Sequence, residues 1–310
     1  MHHLLSVAEW SAVDIESVFE TATRIKAQPG QYRSSLRGKT VAMIFQKPST
    51  RTRVSFETGI SQMGGNSLYL APNDLQLGRG ETVGDTSRVL SRLVDCIVAR
   101  VFAQEDLEEL ARSGTIPVIN ALSDKFHPCQ AIADYFTLRE KKRRLRGLKL
   151  AYLGDGNNVA NSLLEVGAKL GVNIAIACPA GYEPDKDVLD LARRAAQKTK
   201  ANIEIVREPL QAVRGADAVY TDVWTSMGQE AEEQKRRIVF KKYQVSYDIF
   251  RHANREAVFM HCLPAHRGDE VAAEVIDSNA SIVFDQAENR LYTQKAILCL
   301  LLRLPRSNAS

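Results

Sequence analysis

Two doubly wound α/β domains, each a parallel sheet flanked by helices, are the architecture this sequence predicts. Three observations lead there. At 310 residues the chain exceeds one ordinary hydrophobic core. Strand-like and helix-like segments alternate, stop at Gly147, and then alternate again. No internal repeat or low-complexity linker interrupts either series. The first domain is therefore expected at 1–144 and the second at 145–287.

Each element has its own signal. Ser6-Val7-Ala8-Glu9 matches a capping box, opening a helix that runs to about Lys26. Apolar runs then predict strands at 40–45, 67–70, 95–101 and 117–121, with helices after Ser49, over 82–93, and over 127–144. The second series has strands at 148–153, 172–178, 202–206, 216–221, 257–260 and 281–284, with helices between most of them. A final helix spans about 288–302. Ligands of such sheets sit beyond the carboxyl ends of strands, so the loops after strands are where function is expected.

Bulk properties narrow the class. A 45% hydrophobic, 25% charged composition is that of an ordinary globular enzyme. A net charge of +4 is too mild to call for nucleic acid and equally suits a small anionic substrate. Five scattered cysteines, odd in number, favour a reduced cytosolic protein over a disulfide framework. Met1-His2-His3-Leu4-Leu5 lacks the features of a signal peptide, and the longest apolar stretch, 296–302, is too short to span a bilayer. The expected location is cytoplasmic.

The run Lys47-Pro48-Ser49-Thr50-Arg51-Thr52-Arg53 lies between a strand and a helix pattern. A helix N-terminus carries unpaired N–H groups and about half a positive charge. Hydroxyls and guanidiniums placed there add donors worth roughly 1.5–3 kcal/mol each when paired with a charge. The run suits a phosphate; a Ser49 N-cap followed by a solvated arginine turn is the plain alternative. His127-Pro128-Cys129-Gln130 opens a helix, with His127 and Gln130 on one face, although Pro128 alone would mark an ordinary helix start. Arg100 ends an apolar strand and calls for an anion or an internal carboxylate.

In the second half, Gly154-Asp155-Gly156-Asn157-Asn158 invites a dinucleotide reading that fails twice. Val159 stands where the third glycine belongs, and no acidic residue ends the next strand. A tight turn presenting Asn158 to a ligand, or an asparagine N-cap, fits instead. Asp222, at a strand end, suits a substrate ammonium or a helix cap, and Ser226-Met227-Gly228 with the charged segment after it reads as a mobile lid or a plain surface loop. His261-Cys262-Leu263-Pro264 ends another strand, and a lone Cys262 is as readily a small buried residue. His261, Cys262 and His266 lack zinc-ligand spacing, so neither metal nor cofactor is expected. Arg290, at the start of the last helix, would ordinarily form a surface ion pair.

Taken in order, these elements resemble the ornithine carbamoyltransferases along nearly the whole chain. The Ser-Thr-Arg-Thr-Arg and His-Pro-Cys-Gln elements belong to the wider carbamoyltransferase superfamily, and Gln76-Leu77-Gly78-Arg79-Gly80-Glu81-Thr82 matches as well. Asp222 with Ser226-Met227-Gly228, and His-Cys-Leu-Pro, mark the ornithine-specific branch. The resemblance implies a carbamoyl-phosphate domain completed by the C-terminal helix, 288–310, and an ornithine domain. It implies carbamoyl-phosphate binding by Ser49, Thr50, Arg51, Thr52, Gln76, Arg100, His127, Pro128, Cys129, Gln130, Cys262, Leu263 and Arg290. Ornithine is expected at Asn158, Asp222, Ser226 and Met227, with Arg100, His127, Asp222 and Cys262 catalytic. Gln76 reaching a neighbouring subunit implies a homotrimer or a multiple of trimers, with no cofactor, nucleic-acid or membrane partner.

Overall fold

The computed structural model describes residues 3–71, 73, 80–225 and 230–302. The chain divides into two compact units, one made of Met1–Ile132 with Asn289–Ser310 and the other of Ala133–Glu288.

The first unit contains α1 (Ala12–Ala27), β1 (Thr40–Phe45), α2 (Thr50–Gln62), β2 (Asn66–Leu70), α3 (Val83–Leu90), β3 (Cys96–Arg100), α4 (Gln104–Ser113) and β4 (Val118–Leu122). Helix α5 (Pro128–Lys142) then carries the chain into the second unit. The strands pair in parallel in the order β2-β1-β3-β4. All five residues of β3 and all but the first of β1 are buried, as expected of inner strands covered on both faces.

The second unit holds β5 (Lys149–Leu153), α6 (Asn158–Leu170), β6 (Asn173–Ala177), α7 (Lys186–Thr199), β7 (Ile203–Val206), α8 (Pro209–Val213), β8 (Ala218–Thr221), α9 (Glu233–Phe240), α10 (Tyr247–Phe250), β9 (Val258–His261) and α11 (Ala273–Ile276). Its parallel sheet runs β7-β6-β5-β8-β9 around a core that includes Trp224, Phe240, Tyr243 and Phe259. Helix α12 (Val283–Leu301) begins here and returns the chain to the first unit. Each sheet reverses its winding once, between β1 and β3 and between β5 and β8, and such switch points are where open α/β sheets leave a crevice.

Packing explains how α2 is held. Its buried residues Thr52, Ser55, Phe56, Gly59 and Ile60 follow helical spacing and form one face. Fully burying a side chain such as Phe56 or Ile60 contributes roughly 1.5–3 kcal/mol. Gly59 allows a close approach: a Cβ there would stand a tight 3.3 Å from Lys295 Cγ and 3.4 Å from Leu291 Cδ1 of α12. The contact seats the returning helix against the helix that carries Thr52.

Two expectations are corrected. The first helix starts at Ala12, not near Ser6, because Ser11 and Asp14 form the capping box. Ser6 instead accepts the Ala8 N–H in a local turn, while Leu4 bridges to Ile119 of β4. The strand expected at 281–284 shrinks to one bridge between Ser281 and Phe259. Helix α12 takes over at Val283, leaving Phe284 exposed at 75%. An apolar run too short for periodicity does not distinguish a strand from a helix start.

Candidate active site

In the first unit the predicted donors gather at the carboxyl ends of adjacent strands. Ser49 is the N-cap of α2, and its Oγ accepts the Thr52 N–H at 3.3 Å. Thr50 is the first helical residue, and Arg51 is half-buried beside it. The Arg51 side chain has no hydrogen-bond or ion-pair partner among the described residues, whereas Arg53 is turned away, paired with Glu57 at 3.0 Å and stacked 3.6 Å above the Tyr69 ring. Arg290 is buried, not on the surface. It donates to Thr52 Oγ1 at 2.8 Å and to Gln130 Oε1 at 3.0 Å. Gln130 thus gives one lone pair of its oxygen to Arg290.

Arg100 and His127, 5% exposed each, complete this cluster. Burial, and then the positive charges of Arg290 and Arg100, hold the His127 imidazole well below the ordinary histidine range. At neutral pH His127 is an uncharged donor. Pro128 occupies the first turn of α5, where its missing N–H costs nothing. Cys129 points elsewhere, its thiol donating to the Asn120 carbonyl at 3.3 Å, and burial pushes it up to about 12.

The second unit gathers a different set. Asp222, just past β8, is 7% exposed. Its Oδ2 accepts from Asn157 Nδ2 at 2.8 Å, and its Oδ1 accepts the Cys262 thiol at 2.9 Å and the Val223 N–H at 2.8 Å. Asp222 caps no helix. Asn157 does, with its Oδ1 taking the Val159 and Ala160 N–H groups of α6. Asn158 is the first residue of that helix, and its carbonyl accepts the Ser162 hydroxyl at 2.9 Å. The turn before it needs Gly156, since a Cβ would lie 2.1 Å from Pro184 N. Ser226, Met227 and Gln76 lie outside the described residues.

After β9, Leu263 adopts a left-handed backbone (φ 58°), which costs an ordinary L-residue roughly 1–2 kcal/mol. Its N–H is tied to His261 Nδ1 at 2.8 Å. The His261 N–H donates to Gln286 Oε1 at 3.0 Å, and Gln286 Nε2 in turn donates to the buried Asp134 at 2.9 Å. Behind Asp222, Arg236 of α9 forms a buried ion pair with Asp155 and donates to the Trp224 carbonyl at 2.5 Å. Part of the segment expected as a charged lid is therefore helix α9. Burial raises Asp155 to about 6 despite Arg236, with Asp222 adding to the rise. Asp222, His261 and Cys262 bring ligand-type atoms within 4.8 Å of one another, a grouping that spacing along the chain conceals because Asp222 comes from another strand. Two of these atoms are joined to each other, Cys262 Sγ to Asp222.

The comparisons with known proteins also divide the chain in two, with a boundary between residues 140 and 146. The carbamoyl-P binding domain pattern of aspartate/ornithine carbamoyltransferase matches residues 2–140, and its Asp/Orn binding domain pattern matches 146–301. The chain belongs to the aspartate/ornithine carbamoyltransferase family. Ornithine carbamoyltransferase of Thermococcus kodakarensis is 54% identical over 301 residues, covering 96% of each chain. An anabolic ornithine carbamoyltransferase of Pyrococcus furiosus matches equally, at 54% over 96% of each. A solved ornithine carbamoyltransferase structure from P. furiosus superposes with a TM-score of 0.95, at 52% identity and 98% coverage of each chain. An anabolic enzyme from Campylobacter jejuni gives 0.92 at 39% identity, covering 98% of this chain and all of its own.

Asn157, Gln286 and Glu270 are absent from the residues singled out in the sequence. Asn157 is one position from the expected Asn158, and its capping signal was visible; what it caps with, and that its amide also meets Asp222, is tertiary. Gln286 and Glu270 carried no local signal.

Proposed function

We infer that the chain transfers the carbamoyl group of carbamoyl phosphate to the side-chain amine of L-ornithine, releasing L-citrulline and phosphate. The amine forms a C–N bond at the carbonyl carbon, the C–O bond to phosphate breaks, and phosphate leaves with the electron pair. Fixed donors lower this barrier where charge develops on the carbonyl oxygen and the leaving group.

The roles assigned to each residue are those that the family resemblance implies. Ser49, Thr50, Arg51 and Thr52, at the α2 N-terminus, grip the phosphate with Arg100, and Gln76 of a neighbouring subunit completes that grip in a homotrimer. Arg100, His127 and Thr52 serve the carbonyl oxygen. The backbone carbonyls near Cys262, Leu263 and Arg290, and the second lone pair of Gln130 Oε1, serve the carbamoyl NH₂. Pro128 and Cys129 act through the backbone of the α5 N-terminus. Asn158, Asp222, Ser226 and Met227 receive ornithine. The reaction takes place in the cytoplasm; among the described residues no helix is long and apolar enough to cross a membrane.

The observation that carries the choice of acceptor is Asp222, a buried carboxylate held on both oxygens. It pairs with an ammonium and would repel the second carboxylate of aspartate. An amine titrating near 10.4 is neutral in about one molecule in two thousand at pH 7, so its proton must be taken. The Cys262–Asp222 pair offers the route: the thiol passes its proton to Asp222 and the resulting thiolate takes one from the ammonium, so Cys262→Ala is expected to lower kcat and alter its pH dependence. A citrulline assay comparing ornithine, putrescine and aspartate tests the acceptor directly. Turnover with ornithine alone is expected, and a preference for either of the others would overturn the assignment.

A further inference from the structure

Glu270 has no part in the reaction as described, yet its carboxylate is buried, at 1% exposure, against the loop that carries Cys262. It accepts the His266 N–H at 2.6 Å, and its Oε1 lies 3.3 Å from Nε2 of His261, which is itself fully buried. His261 Nδ1 accepts the Leu263 N–H, so its lone pair is committed and the ring's proton must sit on Nε2. That buried N–H makes no hydrogen bond of ordinary geometry among the described residues. Glu270 is the acceptor placed to receive it.

We propose that Glu270 is a positioning residue: its carboxylate holds His261 in the Nε2–H tautomer, so that Nδ1 can fix the Leu263 N–H and set the backbone beside Cys262. The physical chain has three links. A buried donor needs an acceptor, and the carboxylate selects which ring nitrogen keeps the proton. The opposite tautomer would aim an Nδ1–H at the Leu263 N–H, donor against donor. Leu263 would then lose the bond that holds its left-handed conformation, and the Cys262–Asp222 contact would lose its register. The consequence for turnover rests on the reading that Cys262 and Leu263 serve carbamoyl transfer; the tautomer assignment does not.

The test separates the two. In ¹⁵N-histidine-labelled protein, long-range ¹H–¹⁵N correlation should show His261 protonated on Nε2 alone, and Glu270→Ala should disturb that signature. Protonation on Nδ1 in the unaltered protein overturns the proposal whatever the kinetics. Glu270→Ala should lower kcat about 10- to 100-fold, the scale of a small misplacement of reacting groups. The carbamoyl-phosphate dissociation constant should rise no more than about tenfold, since only the carbamoyl NH₂ contacts at Cys262 and Leu263 are disturbed and the phosphate-binding residues of the first unit are untouched. Glu270→Gln, which keeps an acceptor oxygen, should retain both the tautomer and most of kcat. His261→Asn puts an acceptor oxygen near the Nδ1 position without needing Glu270, so adding Glu270→Ala to it should cost little more. Equal loss in the Gln and Ala variants, or full additivity in the double variant, overturns the proposal.

Discussion

The two clusters hold opposite charge by different means. In the first unit Arg290 donates to two uncharged groups, a threonine hydroxyl and a glutamine oxygen. In the second, a carboxylate is surrounded by donors from three strand ends, with Asn157 after β5, Val223 after β8 and Cys262 after β9. Neutral struts orient the Arg290 guanidinium, and amide and thiol hydrogens orient the Asp222 carboxylate.

Removing the charge that lacks a strut should give the largest effect. Arg51→Ala is expected to weaken carbamoyl-phosphate binding at least about 100-fold by calorimetry, as two charge-assisted bonds of roughly 1.5–3 kcal/mol each imply. A loss under about fivefold would break the contrast. Asp222→Asn should lower kcat/KM for ornithine by about 100-fold while leaving the carbamoyl-phosphate dissociation constant within about threefold. Equal damage to both ligands would mean that the two clusters are not specialised.

Smaller changes sharpen the comparison. Asn157→Ala removes a helix cap worth about 1 kcal/mol together with a donor to Asp222. A fall of about 2–4 °C in Tm, measured calorimetrically, should accompany a several-fold rise in the KM for ornithine. Asp155 gives the subtlest signal. Its folded pKa of about 6 lies above the ordinary 3.8, so its favourable contribution is full below about pH 4 and is lost as pH rises through about 6. The stability of the protein relative to Asp155→Asn should therefore decline between pH 4 and 6 and level off near 7, in urea midpoints. An unchanging difference would remove the buried charge from the account.

Legibility in the sequence tracked how local each feature is. Strands β1 and β3 were readable because burial on both faces demands an unbroken apolar run. The Ser49 cap and the donors after it were readable because a helix N-terminus packs its chemistry into four consecutive residues. Arg290 taken alone suited a surface ion pair, and only the family resemblance put it in the site, because nothing within its own turn reveals that Thr52 and Gln130 await it. The strand expected at 281–284 failed for a related reason. Three apolar residues after Ser281 satisfy either element, and only the single Phe259 bridge decides. Glu270 and Gln286 were invisible, since a buried acid or amide is explained only by the partners that the fold brings to it.

Arg290 and Thr52 stand 238 positions apart. The bond between them has a consequence during synthesis. A ribosome must add more than two hundred residues after Thr52 before the guanidinium that braces α2 exists at all. Until then the Thr52 hydroxyl waits for the donor that fixes it in the finished fold.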